Sequence, residues 1–234
     1  EAVYDESAVQ VQEVVFVLDR FGYCKLLDKS TYERNQETVD TEQVHVIRCL
    51  NTDKICLFAA SGSLYQIKAM DVPAGKLRDK GVPIENLSKY DGTKDSIVYL
   101  TCAQDLKGAT LVFATKMAMV KQVPAEEFET NNRMVAATKL QDGDQVVSIL
   151  PVEGQEEVVL QTTSGVFLRF PLEEISVLKK ASRGVRGIKL AKNEELEKLY
   201  LIGDNPVIDY KGKEVHMNRL KLAKRDGKGS KVRL

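Results

Sequence analysis

Tryptophan is absent from this chain of 234 residues, and there are only two histidines. Without tryptophan no Trp-Asp dipeptide can mark a WD-type repeat, and no Gly-His signature opens one, so WD40 and kelch propellers are disfavoured. His45 and His216 fall in strand-like runs with no nucleophile beside them in pattern, which reads as half-exposed strand histidine rather than acid–base chemistry. Cys24, Cys49, Cys56 and Cys102 show no CxxC spacing, so neither a zinc site nor a disulfide framework is expected. They read as small buried strand residues in a reducing compartment. Apolar runs are strand-length, well short of the roughly 18 residues of a membrane span. No GxxxxGK[ST] loop cradles a nucleotide phosphate. The chain opens at Glu1 with no basic-then-apolar leader, and is expected to be part of something longer.

An excess of one charge is also lacking overall, since 34 Lys and Arg balance 34 Asp and Glu. The distribution is uneven. Residues 1–60 carry six cations against eleven acids, whereas residues 176–234 carry sixteen cations against seven acids. A chain polarised in this way can present a positive surface despite its neutrality.

What the chain does have is a repeat: a strand-like run, a tight turn, and a second strand ending in a basic or polar residue. Copies run Val14–Leu18 to Gly22–Lys25, Ile55–Phe58 to Gly62–Gln66, Leu111–Phe113 to Met117–Lys121, Val158–Leu160 to Gly165–Arg169, and Val207–Ile208 to Gly212–His216. The marker positions 25, 66, 121, 169 and 216 lie 41, 55, 48 and 47 apart. A period of about 40–50 residues built from short strands means a propeller or a similar radial array, because one small sheet cannot bury both faces alone. The turn glycines supply positive φ, and Pro171 ends its strand because proline cannot donate to a ladder.

A third strand recurs at 81–87, 134–140, 184–190 and 229–234, and a fourth at 44–50, 96–102, 146–152 and 196–202. The first unit lacks the third strand and carries instead an acidic polar stretch, 33–43. The expected architecture is all-β: one domain over 1–234, with a linker or closing strand at 1–12 and five blades at about 13–51, 52–103, 104–152, 153–204 and 205–234. The fifth unit runs out before its fourth strand, so the segment before the first blade is expected to pair into it.

The recurring Gly-x-x-x-Lys/Arg hairpin, Phe170-Pro171-Leu172-Glu173-Glu174-Ile175 and Ser182-Arg183-Gly184-Val185-Arg186-Gly187-Ile188-Lys189-Leu190 resemble the C-terminal domain of the A subunit of bacterial type IIA topoisomerases, DNA gyrase and topoisomerase IV. Weaker copies stand at Ala69–Pro73 with Lys80–Ile84, and at Val123–Phe128. The resemblance covers essentially the whole chain. It implies a five-bladed β-pinwheel with strands exchanged between neighbouring blades, and a basic rim that binds and bends double-stranded DNA. The partners it implies besides DNA are an ATPase B subunit, in an A2B2 assembly, together with the catalytic core of the same A subunit. The setting would be the bacterial cytoplasm, in association with the nucleoid. ATP and Mg2+ would bind outside this chain, no cofactor is expected within it, and the DNA-cleaving tyrosine would lie elsewhere. Gyrase carries a Gly-rich basic box in the outer loop of its first blade. Here Glu33–Asp40 occupies that place, acidic and without glycine, which tilts the reading towards topoisomerase IV. A partial match stands late, at Lys224-Arg225-Asp226-Gly227-Lys228-Gly229.

A duplex presents a regular line of phosphates, so its binder needs Lys and Arg in loops along one edge, with glycine where backbone comes close. The candidates are Lys76, Arg78 and Lys80 in the second unit, and Lys179, Lys180, Arg183, Arg186 and Lys189 in the fourth. The fifth unit adds Lys221, Lys224, Arg225, Lys228, Lys231 and Arg233. Lys192 and Lys198, beside Glu194, Glu195 and Glu197, read as ordinary solvated charges. The competing reading is a propeller-like scaffold whose basic end docks an acidic protein.

Overall fold

The computed structural model describes residues 10–233. Each sheet grows from one antiparallel hairpin. Glu13–Leu18 pairs with Tyr23–Asp28, Lys54–Ala59 with Ser63–Lys68, Thr110–Thr115 with Met119–Pro124, and Glu157–Thr162 with Val166–Pro171. A fifth hairpin, Val207–Tyr210 with Lys213–His216, stands as a two-stranded sheet. The first strand of each of the four larger hairpins is buried on both faces. That burial is why runs such as EVVFVL and TLVFAT are apolar through consecutive central positions instead of alternating. The tight turns close on a residue with positive φ, glycine at 22, 62 and 165 but Ala118 in the third hairpin.

A further strand flanks the first strand of each larger hairpin: His45–Leu50, Ile97–Cys102, Val146–Pro151 and Leu196–Leu201. These flanking strands pack on one another from sheet to sheet and line the centre of the array. The opposite edge is completed by the next repeat. Val82–Pro83 adds to the first sheet, Met134–Ala136 to the second, Val185–Arg186 to the third and Ser230–Lys231 to the fourth. The third strands expected over seven-residue segments are therefore only two or three residues long, and each sits in the preceding sheet. Apolar clusters fill the gaps between successive sheets; Phe58, Phe113 and Phe128 meet there at centroid distances of 5.2–6.3 Å.

Two expectations need correction. The stretch 33–43, expected only as an acidic polar segment in place of a strand, is largely helical: the chain forms helix α1 (Lys29–Arg34) and helix α2 (Gln36–Glu42). Tyr32 and Val39 from these helices cover Val15, Val17 and Leu27 on the otherwise open face of the first sheet. Tyr32 donates its hydroxyl to Asp40 (2.7 Å), and the Arg48 guanidinium lies 5.1 Å from its ring centroid.

The markers are also not one structural position. Counted from the positive-φ turn residue, Lys25 and Lys121 are third, whereas Gln66, Arg169 and His216 are fourth. In a strand that one-residue step reverses the face. The structural counterparts of Lys25 and Lys121 are Tyr65 and Leu168. The closing strand expected within 1–12 falls mainly on residues 1–9, outside those described; Gln10 and Gln12 are hydrogen bonded to Asn51.

The exchanged strands need glycine just ahead of them. Gly81 and Gly184 have φ of +80° and +92°, and a Cβ there would stand within 2.5 Å of the carbonyl oxygens of Cys24 and Val120 respectively. No other residue fits without moving backbone.

Candidate nucleic-acid interface

Between the second strand of one hairpin and the exchanged strand that completes its sheet, the chain makes a loop on the outer edge. Three of these loops share one layout: Lys76-Leu77-Arg78-Asp79-Lys80-Gly81, Lys179-Lys180-Ala181-Ser182-Arg183-Gly184 and Lys224-Arg225-Asp226-Gly227-Lys228-Gly229. Each begins against the hairpin through one parallel bridge, Leu26 with Ala74, Gln122 with Val177, and Arg169 with Leu222. Because strands are exchanged, the candidates assigned to the second, fourth and fifth units border sheets one, three and four.

Two of the loops are fixed from below by a buried lysine. The Lys25 ammonium donates to the carbonyls of Lys76, Leu77 and Asp79 at 2.5–2.9 Å. The Lys121 ammonium does the same to Lys179, Lys180 and Ser182 at 2.6–3.3 Å. An ammonium has three donors, so each head group is satisfied, as a buried charge must be. Burial pulls both lysines below their ordinary range, Lys121 to about 8, partly opposed by Asp79, Glu42 and Asp19 around Lys25 and by Glu127 near Lys121. In the fourth sheet Leu168 occupies this position and packs under Gly227.

The loop of the fourth sheet is laced to residues 186–189, which directly follow the loop of the third sheet. Arg186 forms a two-bonded ion pair with Asp226, and Arg225 donates Nη1 to the Arg186 carbonyl at 2.8 Å. The Asp226 amide reaches the Gly187 carbonyl, and the Lys189 amide that of Gly227. This brings Lys179, Lys180, Arg183 and Lys189 beside Lys224 and Lys228 along one continuous edge. Lys221, Lys231 and Arg233 lie exposed on the same segment. Lys76, Arg78 and Lys80 border the first sheet, set apart by the edge of the second.

That second edge offers little charge. Lys54 turns inward onto the Thr130 carbonyl and Asn131 Oδ1, and Arg133 onto the Leu87 carbonyl. Two of the fourteen candidates are occupied rather than free. Arg186 is neutralised by Asp226, and half-buried Arg225 braces the neighbouring loop. Lys80 lies 4.2 Å over the Tyr23 ring while remaining exposed. Arg169 likewise turns inward, paired with Glu157 at 2.6 Å and donating to the Asn218 and Leu220 carbonyls. Sequence reasoning marked Lys25 and Lys121 as a recurring cation but not as loop anchors. The available signal was a lysine three residues past the turn in a repeat whose successor carries a Lys-x-x-x-Lys/Arg-Gly loop.

The family described as DNA gyrase C-terminal domain, beta-propeller, matches residues 109–153 and 156–202. Across 99% of its length the chain is 27% identical to the A subunit of DNA gyrase from Staphylococcus aureus (strain MRSA252), and it spans 28% of that relative. The C-terminal domain of DNA topoisomerase IV superposes with a TM-score of 0.83 at 22% identity, covering 95% of this chain and 73% of that one. The E. coli ParC C-terminal domain gives 0.75 at 14% identity, covering 95% and 94%. The DNA gyrase A C-terminal domain gives 0.63 at 20%, covering 94% and 76%. The resemblance to the C-terminal domain of type IIA topoisomerase A subunits thus holds in sequence and in fold, and the fold is the all-β pinwheel of those domains.

Within this gyrase-like pinwheel the described residues hold no cluster of His, Cys, Asp and Glu suited to a metal ion. All four cysteines are free, and burial raises their thiols, Cys24 and Cys56 to about 12 and Cys49 to about 11. Burial lowers His45, and His216 lies 3.6 Å from Glu214. Among the described residues no helix is long and apolar enough to cross a membrane.

Proposed function

We propose that the chain binds double-stranded DNA without sequence preference along its outer edge and bends it, presenting segments to a catalytic core that lies elsewhere in the A subunit of a type IIA topoisomerase. The observation carrying this reading is the joined edge of the third and fourth sheets. Two glycine-containing basic loops are joined there through residues 186–189, with Lys179, Arg183, Lys189, Lys224 and Lys228 exposed. A topoisomerase IV-like parent is favoured over gyrase because α1 and α2 stand where a Gly-rich basic box would be, and they serve to cover the first sheet. The parent enzyme would depend on ATP and Mg2+ bound outside this chain. Its partners would be its own catalytic core and an ATPase B subunit, in the bacterial cytoplasm at the nucleoid.

Titration of short and long duplexes against salt tests the reading. If about five to eight phosphates are neutralised, log affinity falls with log salt at a slope of about −5 to −7. Longer duplexes should bind more tightly, because a curved rim gains contacts as the helix bends. Salt-independent binding, or none to any duplex, overturns the proposal in favour of a protein scaffold.

A further inference from the structure

Lys25 and Lys121 place positive charge beneath loops that already display cations, an arrangement costly for stability unless the loop itself compensates. It does so with carbonyl dipoles. Each ammonium gathers three carbonyls of one loop, those of Lys76, Leu77 and Asp79 or of Lys179, Lys180 and Ser182. No peptide bond among the described residues is cis, so each N–H lies opposite its carbonyl across the peptide plane. The amides of Leu77, Arg78 and Lys80, and those of Lys180, Ala181 and Arg183, therefore face away from the buried ammonium. Each outward N–H is a backbone donor that can meet a phosphate oxygen lying against the loop. Side chains of Lys76, Arg78, Lys179 and Arg183 are exposed around these amides.

We propose that Lys25 and Lys121 are positioning residues that hold each loop with its backbone amides turned outward as donors to DNA phosphates, a role that rests on the DNA-binding reading above. The fixed amides give an orientation that long flexible lysines lack. It also accounts for the second sheet, where Tyr65 stands in place of the lysine and the shorter loop, residues 129–133, carries only one cation. In the fourth sheet Leu168 replaces the lysine, and the loop is held by its neighbour through Arg186 and Asp226.

Amide chemical shifts of the whole chain during titration with a nonspecific duplex test the idea, with Lys121→Met and Lys121→Arg alongside. Expected are perturbations at Lys180, Ala181 and Arg183, lost in Lys121→Met. That variant should also lose about tenfold in affinity and about one unit of salt slope. Lys121→Arg should retain the perturbations. If Lys121→Met does not fold, pH decides. The groups facing Lys121 are Glu127, the Phe113 ring and the loop bearing Lys179, Lys180 and Arg183. Between pH 7 and 9.5 the wild-type affinity for duplex should fall through about 8, while that of Lys121→Arg persists. A duplex that binds without moving those amides, or a Lys121→Met variant that binds as wild type does, overturns this inference alone. Failure of the wild type to bind any duplex overturns the DNA reading along with it.

Discussion

Gly184 illustrates how a single residue governs the pinwheel. Its φ of +92° and the 2.5 Å approach of the Val120 carbonyl mean that any side chain must push the exchanged strand off the third sheet. Gly184→Ala should lower stability by about 1–3 kcal/mol, read from denaturant midpoints. Gly22, equally positive in φ but with nothing within 4 Å, should cost only about 1 kcal/mol on the same change. A Gly184→Ala variant as stable as wild type would show that the strand slides freely. The cations follow a similar rule of context. Arg186, Arg225 and Arg169 look in sequence like the lysines around them, yet each is spent within the fold.

At the scale of elements, the basic edge predicts a contrast. Charge reversal at Lys224 and Lys228 together should weaken duplex binding by about tenfold or more and lower the salt slope by about two. Reversal at exposed Lys192 and Lys198 should do little. Equal effects would mean that overall charge, not the loop, attracts DNA. Helices α1 and α2 carry a second prediction: Tyr32→Ala uncovers Val15, Val17 and Leu27 and should cost about 2–4 kcal/mol, measured by chemical denaturation.

The hairpins were legible in the sequence because buried strands are apolar throughout and tight turns need positive φ. The exchanged strands were not, since two residues carry no periodicity. The helices hid in a polar stretch because each is six or seven residues long and buries a single residue, Tyr32 or Val39, too few to show a helical period. The shared layout of the basic loops was visible as Lys-x-x-x-Lys/Arg-Gly, but which cations were free was not. A miscounted register places Lys25 and Arg169 on one face, although Gly22 and Gly165 mark the one-residue difference; only in the third repeat did Ala118, in place of the usual glycine, conceal the count.

Across the whole molecule, the buried lysines link pH to stability in a direction opposite to their effect on the loops. The folded state holds Lys121 near 8 rather than the ordinary 10.5. Between those values the unfolded chain binds the proton that the folded chain has lost, so this residue's contribution to stability rises with pH across the window. Raised thiols and tyrosines act the other way, so the quantity to measure is the difference between wild type and Lys121→Met. That difference should move in favour of wild type from pH 8 to 10.5, and a flat difference would mean that the amine titrates normally.

Strand exchange also sets a timetable for biosynthesis. The third hairpin leaves the ribosome without its outermost neighbour, and Lys121 waits 61 residues for Ser182. At about 5–20 residues per second that is a delay of about 3–12 s. During it each newborn sheet shows a bare border to the cell, so every repeat acts as chaperone to the one made before it.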